Sequence, residues 1–302
     1  MDGTQLPKAP IVSRSETGPE VVGFFHRETC SVTYLAIDPK RNVAALIDAV
    51  LDYDGKAGRT GTDSADAVLA YAKARDLRVE WVLETHVHAD HLAGGAYCRD
   101  ALGAQLGIGG RVTIVQEMVR DAFDLGGDLP IDGRQFDRRF EPDETFRLGS
   151  FEAKALSTPG HTPACVTYLV GDAAFVGDTL FMPDYGTARC DFPGGSAPSL
   201  YRSIQRLFAL PDGTRLFTAH DYAPNGRVVA WESDVATQRR QNLHIGGGIA
   251  EADFVAKRQA RDKTLETPAL MLPALQVNVR GGRMPAPAPN GRPYLKIPVN
   301  WL

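Results

Sequence analysis

The sequence lacks the long apolar runs, the basic blocks and the export signal that would direct a protein into a membrane, onto nucleic acid or out of the cell. No segment approaches the roughly 20 apolar residues of a membrane-spanning helix. Residues 1–10 do not join positive charge to an apolar run, so a cytoplasmic location is expected. The 33 Lys and Arg residues are outnumbered by 37 Asp and Glu residues, and the resulting net charge of −4 argues against a nucleic-acid partner.

Cysteine is also scarce, and the four residues present lie far apart, at Cys30, Cys98, Cys165 and Cys190. No close pair is available for a metal-binding or redox motif. The spacing favours reduced thiols that serve as core residues, because a reactive thiolate needs an electropositive site around it. A disulfide framework is therefore not expected.

Apolar residues make up 43% of the 302-residue chain, which is enough for a sizeable core. We divide the chain into a flexible tail at residues 1–18, a catalytic domain at 19–245 and a C-terminal extension at 246–302. The extension is predicted to be a helix followed by extended chain. It is expected to pack on the catalytic domain, because a solvated linker would not carry so many large apolar side chains.

Runs of strand length and segments with helical periodicity follow one another along the chain. Strands are predicted at residues 21–25, 32–37, 43–47, 79–83, 151–156, 166–170, 173–176 and 216–218. Helices are predicted at 64–75, from about 91, and at 199–208, 228–240 and 251–263, with extended pieces at 275–279 and 294–297. Histidine or acidic residues come just after several of the strands, which indicates a site at the rim of a rigid sheet.

Five of the seven histidines occur in short segments that are typical of metal sites. In HVHADH at residues 86–91, alternate residues of an extended chain point the same way, so His86 and His88 can converge. Asp90 and His91 are expected at the start of a helix, where they turn back toward the same space. The other two histidines, His26 and His244, are expected to be surface or core residues.

Three further candidate ligands each follow a predicted strand. His161 comes after Thr-Pro-Gly, which is typical of a sharp turn, while Asp178 lies in GDT and His220 in AHDY. Taken alone, Asp178 would be interpreted as an ordinary turn residue after a strand. Zinc and iron prefer imidazole and carboxylate ligands, and ligands at the ends of several strands form a preorganised site. The sequence therefore predicts a metal centre.

The order and spacing of these motifs resemble the metallo-β-lactamase superfamily. The matching segments are THVHADH at 85–91, TPGHT at 158–162, GDTLF at 177–181 and AHDY at 219–222. The resemblance covers about residues 20–245 and implies an α/β fold, an αββα sandwich of two mixed sheets with helices on the outer faces.

Longer matches resemble one branch of the superfamily, the persulfide dioxygenases, also called sulfur dioxygenases. They include THVHADHLAGG at 85–95, TPGHTPACVTYLVGD at 158–172 and TARCDFPGG at 187–195. The segments LPALQVNVR and YLKIP, at 272–280 and 294–298, are similar to a bacterial subgroup described as β-lactamase-like hydrolases. The branch implies an oxidoreductase of sulfide metabolism that converts glutathione persulfide, O2 and water to glutathione and sulfite.

The resemblance also implies roles for individual residues. One Fe(II) per chain would be held by His86, His161 and Asp178. The residues that surround these ligands, or that remain from a second metal site, would be His88, Asp90, His91 and His220. Candidates for substrate binding are Arg189, Tyr222 and Arg239, for which the alternatives are a salt bridge to an acid such as Asp191, a packed tyrosine and a solvated helix face.

The resemblance has limits at two points. Some family members carry a cysteine two residues before the arginine, where this chain has Thr187, so no role of that thiol carries over. A homodimer, formed through a sheet edge or the C-terminal extension, is an expectation from the family alone.

Other functions stay open at this point. A glyoxalase II-like dinuclear thioesterase, a hydroxyacylglutathione hydrolase, would use all seven ligand candidates, but the sequence shows no basic C-terminal helical motif of the kind that family uses for glutathione. A β-lactamase is disfavoured because Asp178 stands where many of those enzymes have cysteine. A non-catalytic, metal-stabilised domain would need a closed metal site, which three-ligand spacing does not favour.

Overall fold

Two mixed β-sheets lie face to face, and helices cover the outer side of each sheet. The computed structural model describes residues 9–301, so residues 1–8 and 302 lie outside the description. Among residues 9–301, no helix has the length and apolar character needed to cross a membrane. The α/β sandwich that the motifs predicted is confirmed.

The first sheet has seven strands. With strands numbered in chain order, the spatial order is Ile11–Ser13 (β1), Glu20–His26 (β2), Ser31–Asp38 (β3), Val43–Ile47 (β4), Arg78–Leu83 (β7), Gln105–Gly109 (β9) and Arg138–Phe140 (β10). Neighbouring strands from β1 to β4 are antiparallel, and β7, β9 and β10 run parallel to β4.

The second sheet has six strands. Their spatial order is Glu144–Leu148 (β11), Phe151–Ser157 (β12), Val166–Val170 (β13), Ala173–Gly177 (β14), Arg215–Thr218 (β15) and Glu232–Asp234 (β16). Neighbouring strands are antiparallel, except that β14 and β15 are parallel. A small third sheet consists of Arg59–Gly61 (β6), Val50–Asp54 (β5) and Leu92–Ala93 (β8).

Seven α-helices occur in the described residues. They are Asp63–Ala74 (α1), Gly95–Leu102 (α2), Val112–Ala122 (α3), Ala197–Phe208 (α4), Val235–Gln241 (α5), Glu251–Asp262 (α6) and Met271–Asn278 (α7).

Apolar side chains fill three layers of the sandwich. Between the sheets, the rings of Tyr34, Phe175 and Phe217 pack together. The outer face of the first sheet packs on α1, α2 and α3, and that of the second sheet on α4, α5 and α6. Every residue of β3 and β4 is buried, because both faces of these strands are covered. The result is a rigid frame whose strand ends can hold side chains in fixed positions.

The eight predicted strands are present, whereas two of the five predicted helices were misplaced. The helix expected from about His91 begins only at Gly95, because Leu92–Ala93 first pairs with β5. The helix predicted at residues 228–240 is replaced by β16 and the short helix α5. Asp234 caps α5, accepting a hydrogen bond of 2.7 Å from the Thr237 amide, and this fixes the helix start.

The two ends of the chain also differ from the sequence predictions. Within the predicted flexible tail, Ile11–Ser13 forms β1 and pairs with β2, while residues 1–8 lie outside the description. Residues 275–279, predicted as extended, belong mainly to α7. A short apolar run does not distinguish a buried helix from a strand, which explains this error. Residues 294–297 form neither helix nor strand.

Candidate metal centre

The candidate ligands meet at one edge of the sandwich, where strands of both sheets end. His86 and His88 follow β7, Asp178 follows β14, and His220 follows β15. The last two strands are parallel neighbours, so their carboxyl ends share this edge. The sheet frame thus brings together side chains that are up to 134 positions apart in the chain.

His161 reaches the same edge from the turn between β12 and β13. Gly160 precedes it with a φ of 149°, and a Cβ at this position would lie 2.4 Å from the Leu200 Cα. Only glycine allows the turn to approach α4 this closely without a clash. The Thr-Pro-Gly motif therefore directs the imidazole into the site, as the sequence predicted.

The seven candidate ligands form two adjacent groups. One consists of His86, His161 and Asp178, with ligand atoms within 4.8 Å of one another. The other consists of His88, Asp90, His91 and His220, whose ligand atoms also lie within 4.8 Å of one another.

Asp178 connects the two groups. Its Oδ2 lies 3.6 Å from His161 Nε2 and 3.9 Å from His86 Nε2, while its Oδ1 lies 3.4 Å from His220 Nε2. One carboxylate therefore faces both potential metal positions.

Buried polar atoms without a hydrogen-bond partner mark the point where a cation fits. Among the described residues, they include His86 Nε2, His91 Nε2, His220 Nε2, His88 Nδ1, Asp90 Oδ2 and Asp178 Oδ1. Leaving a buried polar atom unpaired costs about 1–3 kcal/mol, so a cluster of such atoms is expected only where another ligand satisfies them. The donor set, nitrogen and carboxylate oxygen, suits iron or zinc.

Hydrogen bonds to the opposite ring nitrogens orient the ligand histidines. His161 Nδ1 lies 2.8 Å from the Arg189 carbonyl oxygen and therefore carries the proton, which leaves Nε2 with a lone pair for a metal. His86 Nδ1 lies 3.0 Å from Thr85 Oγ1, which in turn donates to Asp48 Oδ2. Burial, reinforced by the neighbouring His88, holds the pKa of His86 well below its usual range, so its imidazole is neutral.

The His88 ring is held by the other nitrogen, Nε2 instead of Nδ1. Its Nε2 lies 3.2 Å from Asp48 Oδ1 and 3.3 Å from Glu84 Oε2, so Nδ1 faces the second group. Burial alone would lower the pKa of His88, but these two carboxylates raise it well above the usual value. Burial in turn raises the pKa of Glu84 to about 7. Asp48 and Glu84 were missed in the sequence, although Asp48 directly ends the buried β4 run.

The segment that carries four of the candidate ligands, residues 86–91, is held by a residue from the C-terminal extension. Asn278, at the end of α7, donates to the carbonyl oxygens of His88 and His91 at 2.8 and 2.7 Å and accepts from the Ala93 amide at 2.7 Å. Its side chain is buried. A residue of α7 therefore contacts the ligand segment at the candidate metal centre itself, where no sequence motif indicated it.

The four cysteines are buried thiols outside both ligand groups. Burial raises the pKa of Cys30 to about 11 and those of Cys98 and Cys165 to about 12, and it also raises the pKa of Cys190. These thiols stay protonated near neutral pH, which fits the structural role inferred from their spacing.

A cavity of about 740 Å³ opens over the first ligand group, and His161, Asp178 and Asp90 line it. Phe181 and Phe192 contribute apolar walls. Helix α6 and the chain after it close the far side, through the side chains of Lys257, Arg258, Arg261 and Leu265. This cavity has the size of a site for a small molecule.

The three substrate-binding candidates differ in position. Arg189 lines the cavity, but its guanidinium binds both carboxylate oxygens of Asp191, at 2.6 and 2.7 Å, and the Glu266 carbonyl oxygen. Tyr222 lines the cavity and stacks on Tyr185, with ring centroids 4.6 Å apart. Arg239 is not among the lining residues and instead pairs with Asp212 at 2.8 Å.

A basic wall contributed by α6 was missed in the sequence. Arg258 is buried, pairs with Asp262 at 2.7 Å and donates to the Thr187 carbonyl oxygen. Lys257 and Arg261 lie one helical turn apart and are exposed on the cavity rim. The signal was available, because residues at i and i+4 of the predicted helix share a face.

His244 was expected to lie on the surface or in the core, but it lines the cavity and accepts a hydrogen bond of 3.0 Å from the Thr187 amide. Burial and the cations Arg258, Lys257 and Arg261 lower its pKa to about 4, so it is neutral at pH 7. It belongs to neither ligand group.

Comparison with known proteins agrees with this architecture. Residues 27–220 match the family model of the metallo-beta-lactamase superfamily. The chain is 53% identical over 292 residues to a probable metallo-hydrolase of Burkholderia pseudomallei, covering 93% of this chain and 99% of that protein. It is 44% identical over 277 residues to glyoxylase B2 of Dictyostelium discoideum, covering 91% and 95%.

Two further similarities concern persulfide dioxygenases and a related structure. The chain is 33% identical over 217 residues to the mitochondrial persulfide dioxygenase ETHE1 of Homo sapiens, covering 71% of this chain and 70% of that protein. The crystal structure of ETHE1 from Myxococcus xanthus superposes with a TM-score of 0.69 at 28% identity, covering 86% of this chain and 98% of that one. With the fold, the ligand groups and the family model in agreement, the chain belongs to the metallo-beta-lactamase superfamily.

Proposed function

We propose that the chain is an Fe(II)-dependent persulfide dioxygenase that oxidises glutathione persulfide with O2 and water to glutathione and sulfite. The observation that carries the proposal is the group of His86, His161 and Asp178 beneath the large cavity. These two imidazoles and one carboxylate would hold an iron ion, and a three-ligand site would leave coordination positions open for the reactants. The likeness to the human mitochondrial persulfide dioxygenase supports the same assignment.

The overall reaction balances as GSSH + O2 + H2O → GSH + SO3²⁻ + 2 H⁺. The S–S bond breaks, the terminal sulfur loses four electrons, and dioxygen gains them. When bound, Fe(II) supplies the one-electron chemistry that lets dioxygen react with the sulfur. The side chains of the cavity bind the substrate, orient it and hold protons.

We assign Tyr222 a role at the reacting end of the substrate. Its ring lines the cavity and stacks on His220, with centroids 5.8 Å apart. Burial, together with the nearby Asp90 and Asp178, raises the pKa of Tyr222 well above the usual value. The hydroxyl therefore keeps its proton at neutral pH and can donate a hydrogen bond to an anionic sulfur or oxygen.

The basic rim is suited to the carboxylates of glutathione. Among the described residues, no acidic side chain forms an ion pair with Lys257 or Arg261, so both charges are available to a ligand. Arg189 and Arg258 are already paired with Asp191 and Asp262 and serve to hold the cavity wall. An anionic tripeptide bound here would place its sulfur end toward His161 and Asp178.

We expect the double variant Lys257→Glu, Arg261→Glu to raise the KM for glutathione persulfide about tenfold, with kcat nearly unchanged. Exposed charge pairs contribute about 0.2–1 kcal/mol each, and charge reversal adds repulsion to the lost attraction. The measurement is steady-state oxygen uptake at low and high ionic strength, because salt screens the effect. Lys263→Glu at the end of α6, outside the cavity, is the matched control, and an equal change in both proteins would reject the assignment.

A second candidate function is a dinuclear thioesterase acting on glutathione thioesters. The observation that favours it is the second group, His88, Asp90, His91 and His220, beside the first and joined to it through Asp178. The names of the Burkholderia and Dictyostelium relatives point to the same kind of chemistry. The basic rim of α6 fits a glutathione thioester as well as a persulfide.

The deciding experiment compares two reactions in one preparation. Protein loaded anaerobically with Fe(II) is mixed with glutathione persulfide, and oxygen uptake and sulfite are measured. We expect one sulfite per dioxygen consumed and none with the Zn(II)-loaded protein, because zinc has no redox chemistry. Thioester cleavage without oxygen uptake would instead establish the hydrolase.

A further inference from the structure

A second, small cavity lies behind the segment that carries the ligands. Its volume is about 40 Å³, roughly three times the 10–15 Å³ that a single water molecule needs. The lining includes Val87 and Ala89 of the ligand segment, Val115 and Met118 of α3, and Leu275 of α7.

The walls offer almost nothing to which water can bind. Of the 13 lining residues, Thr162 contributes a hydroxyl group and Trp301 an indole N–H, while the other eleven side chains are apolar. The Thr162 hydroxyl is already engaged, 3.1 Å from Cys165 Sγ and 3.3 Å from the Ala164 amide. A buried water requires two to four polar partners, and cavities without them stay dry and accept small apolar molecules such as xenon.

The small cavity adjoins the metal centre. Ala89 and Phe192 line both this cavity and the large one, so these two side chains form the partition between them. The Phe192 ring also packs edge-on against His161, with centroids 5.5 Å apart. A molecule that passes Phe192 therefore arrives beside a ligand of the first group.

We propose that this cavity binds dioxygen and supplies it to the metal centre past Ala89 and Phe192. The inference rests on the proposed function, which needs two unlike reactants at one ion. The large cavity carries cations and acids and suits the anionic persulfide, whereas the small cavity is apolar and suits a neutral diatomic gas. Separate entry allows dioxygen to reach the centre while the persulfide occupies the large cavity.

The test uses the full-length iron-loaded protein and xenon as a probe. We expect crystals of the wild type under xenon pressure to show xenon among Val87, Val115 and Leu275. Val115→Phe should exclude the xenon and raise the KM for dioxygen about fivefold, while the KM for glutathione persulfide stays the same. Ile114→Phe, the same change at an exposed position one residue away on α3 and outside the cavity, should alter neither value.

Two further variants guard against misfolding caused by the larger side chain. Ala122→Leu fills the cavity from the end of α3, and Val115→Ala enlarges it, so xenon occupancy should fall in the first and rise in the second. Absence of xenon from the wild-type cavity would overturn the proposal. So would an unchanged KM for dioxygen in a folded, xenon-free variant. Failure of the proposed function would appear differently, as a wild type that binds xenon but takes up no dioxygen.

Discussion

Replacing His161 by alanine is expected to reduce the iron content from about one ion per chain to less than about a tenth, and to abolish oxygen uptake. His161 supplies one of only three ligands in the first group, and its Nε2 points at the space shared with His86 and Asp178. Two remaining ligands bind a divalent ion weakly. Metal analysis of protein purified after loading and desalting measures the loss.

The matched variant is His220→Ala, which removes an equally buried histidine from the second group. We expect it to retain most of its iron, because His220 approaches the first group only through Asp178 Oδ1, at 3.4 Å. Equal iron loss in the two variants would show that both groups hold metal together, and the dinuclear hydrolase would then be the better assignment.

Replacing Asn278 by alanine is expected to destabilise the protein by about 3 kcal/mol or more and to weaken metal retention. The substitution leaves the His88 and His91 carbonyl oxygens and the Ala93 amide without their buried partner, at about 1–3 kcal/mol for each group. Urea unfolding of the metal-free protein gives the first effect. Iron loss on dialysis against a chelator gives the second.

Two controls separate this effect from a general effect of the extension. Asn290→Ala changes an exposed asparagine of the same extension, which bonds only to the Tyr294 side chain and the Arg292 amide, and should cost less than about 0.5 kcal/mol. Asn278→Asp keeps the acceptor for Ala93 but loses both donors, so its effect should be large as well. A loss below about 1 kcal/mol in Asn278→Ala would contradict the role assigned to this side chain.

Much of the frame and the ligand set could be predicted because both depend on local patterns. Strands such as β3 and β4 are apolar runs between turn residues, and His86, His161, Asp178 and His220 each follow a predicted strand. The chain order of strands and ligands is therefore visible in the sequence. The chain order alone does not show which strand ends share an edge, and the resemblance to the superfamily supplied that information.

The features that could not be predicted depend on contacts between distant parts of the chain. The start of α2 is delayed because Leu92 and Ala93 pair with β5, some 40 residues earlier. Residues 275–279 have the composition of a strand but lie mainly in α7, because they are enclosed by the ligand segment and the rest of the core. The basic face of α6 gains significance only from the cavity beside it.

The hydrogen bonds of Asn278 to the ligand segment also bear on the order in which the site can form during protein synthesis. It joins residues that are 185 to 190 positions apart, so ribosomal synthesis delivers all seven ligands well before the side chain that anchors their loop. A nascent polypeptide stopped short of α7 would carry the complete set of metal-binding side chains on an unanchored backbone. We therefore expect the candidate centre to mature late, when the chain is completed rather than when the ligands are synthesised.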